Sequence, residues 1–195
     1  MFLLSLTEKT VKNIFLFILL SISVSCTAQI YPLRTYTAVP NNAYIKDLNN
    51  ELLPYEGTWK GTWNGKTIYI YFKKVKNYFT HLENNPYYKD ILKGKFKVID
   101  SNGNILFDNS NISDENVKIW GSGIRKLDDK YSLIYVDPDL CNTSGNIIIN
   151  FIDSTKTKLN WKLNKGSNMI TTDCQYYNTT PFPQALPEEM ILTKQ

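Results

Sequence analysis

The chain has 195 residues, 43% of them apolar and 13% aromatic, with a formal net charge of +4. That is one globular domain plus a targeting segment, and it excludes a disordered chain. The mild positive excess is spread along the sequence rather than clustered, which argues against a dedicated nucleic-acid surface.

Lys9 and Lys12 precede an apolar run from Ile14 to Ser25. At 1.5 Å per residue the run is about 18 Å long as a helix, against ~30 Å of bilayer hydrocarbon. It therefore reads as a signal-peptide core, with residues 1–28 as the signal peptide. Two exits are open. Cleavage after Ala28 leaves Gln29 first, giving a secreted or periplasmic protein. Lipidation of Cys26 anchors the chain instead, and that lipid is the only membrane contact expected. Both exits leave Cys141 and Cys174. Export implies an oxidising compartment, so the two are expected to form a disulfide. Closing that loop stabilises the fold by roughly 3–4 kcal/mol in the chain-entropy treatment.

Residues 29–54 read as an N-terminal arm, with Pro32, Pro40 and a turn or two of helix over 43–50. From Tyr55 the texture changes. A Gly-x-Trp repeats at once in Tyr55-Glu-Gly-Thr-Trp-Lys-Gly-Thr-Trp63, and Lys66–Lys73 then alternates, with Ile68, Ile70 and Phe72 on one face and Tyr69 and Tyr71 on the other. The basic run Lys73, Lys74 and Lys76 reads as a solvated strand end. Further strand patterns follow over 92–100, 104–108, 117–127, 131–137, 145–152 and 158–163, with Met190–Thr193 as a last candidate. The connectors carry turn residues, among them Ser101-Asn-Gly-Asn104 and Asp128-Asp-Lys130. Residues 180–187 hold three prolines and read as an extended tail. Many short strands joined by hairpins predict an all-β, antiparallel up-and-down barrel of about eight strands over residues 55–195.

The segments 42–50 and 55–63, the later Tyr87-Tyr-Lys-Asp-Ile-Leu-Lys-Gly94 and Cys141 resemble an uncharacterised family of exported bacterial proteins, from about Asn42 to Leu163. That family has no assigned activity, so the resemblance implies no catalytic residue. At a coarser level the chain resembles the lipocalin and fatty-acid-binding superfamily, where a Gly-x-Trp on the first strand plugs one end of an eight-stranded barrel. Gly57 and Trp59 occupy the matching positions. Lipocalins stack an arginine from the barrel's end on that tryptophan. Here the only arginines are Arg34 and Arg125, so a lysine would have to take that place.

Few residues suggest chemistry. His81 is the single histidine, and no nucleophile-elbow pattern accompanies it. One histidine and two paired cysteines do not supply a zinc site, so no metal and no cofactor are expected. The acidic pairs Asp128-Asp129, Asp137-Pro-Asp139 and Glu188-Glu189 read as turn and tail residues. The aromatics Trp59, Trp63, Tyr69, Tyr71, Trp120 and Trp161 are the candidate ligand-binding set, because Trp and Tyr join an apolar body to a polar tip. The leading expectation is a non-catalytic module that binds a small apolar or amphipathic molecule. The alternative is a structural or protein-interaction module of the cell envelope with a filled barrel, its arm and tail making the contacts. A hydrolase using Asp137, Asp139 or His81 ranks last.

Overall fold

Inward and outward side chains alternate along Lys66–Thr80, the longest strand of the computed structural model, which describes residues 12–13, 29–80 and 84–195. Ile68, Ile70 and Phe72 are buried, while Tyr69 and Tyr71 lie on the other face, as the period of two requires. The strands of the described residues are β1 (Ile30–Pro32), β2 (Tyr44–Lys46), β3 (Gly57–Trp63), β4 (Lys66–Thr80), β5 (Tyr87–Ile99), β6 (Ile105–Asp108), β7 (Ile119–Ile124), β8 (Tyr131–Asp137), β9 (Thr143–Phe151), β10 (Lys158–Lys165) and β11 (Glu189–Lys194).

Eight of them close into an antiparallel barrel in the order β3-β4-β5-β7-β8-β9-β10-β11. The last strand returns to the first through Thr193↔Lys60 and Lys194↔Trp59. On the other flank β7 joins β5 through Lys93↔Trp120 and Gly94↔Ile119. β5 is long enough to hold β2, β7 and β6 at successive positions along one edge. Where β7 joins, β5 carries Gly94. A Cβ there would sit 3.0 Å from the Phe72 ring and 3.1 Å from Ile119 Cβ, so glycine lets the inward Phe72 and Ile119 pack close against β5, and a larger residue would have to displace them by a few tenths of an ångström.

Side chains fill the barrel. Trp59, Trp161, Tyr131, Tyr135, Phe96, Ile68, Ile70, Ile119 and Leu133 are among the largest fully buried residues and belong to one core cluster. Each such side chain contributes about 1.5–3 kcal/mol on burial, so this packing is the main stabilising term.

The arm covers the end where β3 begins and β11 finishes. Leu33, Val39, Ala43, Ile45, Leu52 and Tyr55 join the core there. The expected helical turns over 43–50 are not formed. Tyr44–Lys46 is instead a strand, paired in parallel with β1 and with β5. Its partners lie over forty residues away on one side, so local periodicity could not register it. Two buried carboxylates fix the arm. Asp90 on β5 accepts from the Tyr44 hydroxyl, from the Asp47 amide at 3.0 Å and from the Asn77 amide at 3.0 Å. Asp47 accepts from the amides of Glu51 (2.7 Å) and Leu52 (3.1 Å) and pairs with Lys74 at 2.6 Å. The basic run is therefore not uniformly solvated. Lys73 is exposed and pairs with Asp114, whereas the Lys74 side chain is only 8% exposed. The Asn77 amide is presented by a bulge between Val75 and Tyr78, where Asn77 takes a φ of 55°.

Candidate functional site

The opposite end of the barrel, where β8 finishes and β9 begins, carries the candidate site. Alternation along β8 turns Tyr131, Leu133, Tyr135 and Asp137 inward. At the rim, fully buried Asp137 stops the strand by accepting from the Asp139 amide at 3.1 Å, which opens a single 3-10 turn over Pro138–Leu140. The same carboxylate accepts from Lys118 Nζ at 2.6 Å and from the Tyr135 hydroxyl at 3.0 Å. Lys118 also pairs with Asp139 at 2.6 Å. Burial opposes the Lys118 charge, but its bonds to Asp137 and Asp139 outweigh that and raise its pKa. Burial, with the neighbouring Asp137 charge, pushes the Tyr135 phenol well above its ordinary value, so Tyr135 acts as a hydroxyl donor. Cys141 and Asn142 then turn the chain with φ of 54° and 60° into β9.

Cys141 is bonded to Cys174, with their Cα atoms 5.7 Å apart. That bond pins the tail between β10 and β11 over the barrel mouth. The tail is also fastened where it leaves and re-enters the sheet. Gly166 donates its amide to Ser144 O at 2.8 Å, and Gln175 Nε2 donates to Asp139 O at 3.2 Å. At the far end Trp161 Nε1 donates to Pro187 O at 3.0 Å, and the Leu163 amide to Glu188 O at 2.6 Å. Between these points Ala185 and Leu186 are buried in the mouth, and Phe182 packs edge-on against Tyr176 at 5.9 Å.

Between tail and rim lies a cleft of about 200 Å³. Leu140, Leu163, Ile170, Phe182 and Leu186 supply apolar walls. Thr143, Ser144, Lys165 and Asn168 supply polar groups. Lys165 pairs with Glu188 at 2.8 Å, both side chains well exposed, so its ammonium can turn toward a guest without being stripped of water. The arrangement suits a small apolar body with one polar end.

The aromatics expected to bind ligand are not gathered in one place. Trp59 and Trp161 are fully buried in the core. Trp63 is half-buried at the end of β3, with Lys66 Nζ 5.6 Å from its ring. Tyr69 and Tyr71 lie on the outer face, where they line a separate open groove. Trp120 is half-buried and sits opposite Lys93 at the β5–β7 junction. None of the six lines the cleft. Leu140, Leu163, Phe182 and Leu186 do, and the sequence signal for them was indirect: a proline-rich tail held by a cysteine.

Of the acidic pairs, Asp128 bonds Arg125 at 3.2 Å and Asp129 pairs with Arg34 of the arm. Glu188 and Glu189 pair with Lys165 and Lys162. No group of three or more His, Cys, Asp or Glu that could hold a metal occurs among the described residues. His81, Cys26 and the signal-peptide segment apart from Lys12 and Asn13 lie outside the described residues. Among the described residues no helix is long and apolar enough to cross a membrane.

Residues 9–195 match the sequence profile of a family of unknown function (DUF6705). No curated protein and no solved structure matches the chain.

Proposed function

The chain belongs to that family of unknown function, and we propose from its own geometry that it is an exported, non-catalytic binding module for a small amphipathic molecule. One observation carries the reading: a cleft with apolar walls and a polar rim at the barrel mouth. Its volume of about 200 Å³ falls below the ~300–1,000 Å³ of drug-sized sites, so the guest is short. Trp161 and Tyr135 occupy the interior beneath it, which seats the guest at the mouth rather than along the barrel axis. The barrel plan, and a lysine from the last strand lying over Trp59, support a lipocalin-like ancestry. The Cys141–Cys174 bond supports an oxidising compartment outside the cytoplasm. Asp137 supports no hydrolytic role, because both its oxygens are engaged in holding the rim.

Calorimetric titration of octanoate tests the proposal. The protein is expected to bind it, and Asn168→Trp, which fills the cleft from its rim, is expected to abolish binding without unfolding the barrel. Equal binding by that variant would rule the cleft out.

A second reading rests on the filled interior, which suits a scaffold that works only through its surface. It predicts no octanoate binding, together with capture of an envelope partner that is lost when Ile30 and Leu48, the exposed apolar residues of the arm, are changed to glutamate.

A further inference from the structure

A second site lies on the outside of the barrel, on elements the mouth cleft does not use. The registers place Lys60, Tyr69, Lys97 and Asp108 in one row across β3, β4, β5 and β6. The next row on the same face holds Thr58, Tyr71 and Lys95. Tyr69 and Tyr71 are two residues apart on one strand, so both rings face outward, roughly 6.7 Å from each other along β4. They floor an open groove of about 390 Å³ whose side is formed by Ile99, Gly103 and Ile105 of the β5–β6 hairpin.

That side wall is held in place. Asp100 accepts from the amides of Asn102 (2.9 Å) and Asn104 (2.8 Å) and from Asn104 Nδ2 (2.9 Å). Gly103 takes a φ of 85° at the tip and has nothing within 4 Å of where a Cβ would stand, so the groove stays open above it. Ile105 is 56% exposed beside the tyrosines.

The charge of the groove is positive and sparse. Lys60 Nζ stands 5.7 Å from the Tyr69 ring centre and has no carboxylate partner among the described residues. Lys97 meets Asp108 only at 3.4 Å. We propose that this groove binds a carboxylated glycan chain, with Tyr69 and Tyr71 stacking on successive sugar rings and Lys60 and Lys97 receiving carboxylates. Flat aromatic faces with hydroxyl tips match the apolar faces and hydroxyl rims of sugars. The cation count decides against single-stranded nucleic acid, which carries a charge on every nucleotide and is held by grooves that track its backbone with many cations.

The test is a titration of an oligogalacturonate into the purified protein at low salt, with its fully methyl-esterified form as the uncharged control. Binding by the acid form and not by the ester is expected. Tyr69→Ala and Tyr71→Ala should each weaken it about tenfold, and Lys60→Glu should weaken it further while leaving the thermal midpoint in place. All three side chains point away from the core, so the fold survives each change. Absence of binding, equal binding of the ester, or indifference to the three variants would overturn the proposal. Tighter binding of oligothymidylate, lost in the same variants, would overturn it in favour of single-stranded nucleic acid. Octanoate binding at the mouth does not involve these residues, so either site can fail alone.

Discussion

The ammonium of Lys194 lies 5.3 Å from the centre of the Trp59 ring and donates to Pro54 O at 2.8 Å. One side chain of the last strand thus ties together the first barrel strand and the end of the arm. A cation over a desolvated indole is worth about 1–2 kcal/mol and the hydrogen bond about 1 kcal/mol. Lys194→Met is expected to destabilise the protein by about 2 kcal/mol in urea unfolding. Lys194→Arg should retain most of that, since the guanidinium stacks on the same face. Equal loss in both variants would show that the charge over the ring does not matter.

Asp90 is the acceptor on which the arm depends. Asp90→Ala leaves the amides of Asp47 and Asn77 and the Tyr44 hydroxyl without their acceptor. The loss is about 3 kcal/mol or more. Limited proteolysis should cut the variant within residues 29–53 before it cuts the barrel. Tyr44→Phe removes a single bond and should lose only about 1 kcal/mol.

Alkaline pH should unfold the protein through its buried phenols. Burial first, then the bond to Asp90 and its charge, push Tyr44 up to about 12. Burial is also the main cause that pushes Tyr55 up to about 12. Tyr131 and Tyr135 are raised by burial as well. The unfolded phenols ionise near 10. The folded state therefore favours the protonated form, and this contribution is full below pH ~10 and disappears as pH rises through ~12. The urea midpoint should hold between pH ~7 and ~9 and fall above ~10. A midpoint unchanged to pH ~12 would contradict the burial described.

Gly121 and Tyr131 form a coupled pair. A Cβ on Gly121 would fall 2.1 Å from the Tyr131 hydroxyl, and that hydroxyl accepts from the Leu92 amide at 3.2 Å. Gly121→Ala is expected to lose about 3 kcal/mol through overpacking. Tyr131→Phe should lose about 1–2 kcal/mol by orphaning the amide. In the double variant the alanine should be better tolerated, because the atom it strikes is gone. Additive losses in a double-mutant cycle would refute the contact.

The bond between Cys141 and Cys174 spans 33 residues. Replacing both with serine should lose about 3–4 kcal/mol. Amide exchange should rise most over residues 167–179, whose hydrogen bonds to the rest of the chain are few, and least in β4 and β5.

Much of the barrel was legible from periodicity. β8 was expected over 131–137 and is found there, and β3 and the start of β4 follow the Gly-x-Trp repeat and the alternation of Ile68, Ile70 and Phe72. The pattern faded where side chains on both faces are covered. The run Asp90-Ile-Leu-Lys-Gly94 is buried throughout, with Asp90 accepting from Tyr44, Asp47 and Asn77 and Lys93 held over the Tyr78 ring and bonded to Asp114 O, so charged residues stand at covered positions and no alternation can be read. β4 runs on to Thr80 through a lysine-rich stretch and a bulge that break its period. The disulfide followed from two cysteines and an expected compartment. The cleft did not follow, because its walls come from segments far apart in sequence and meet only once the tail crosses the mouth.

The most direct test of the binding proposal is to map backbone amide shifts during an octanoate titration of the disulfide-bonded protein. Saturable shifts confined to the amides of Ser144, Gly166, Ala185 and their neighbours, with Trp59 and Tyr69 unmoved, are the predicted result. Shifts absent from the mouth at saturating octanoate, or centred elsewhere on the barrel, would contradict it.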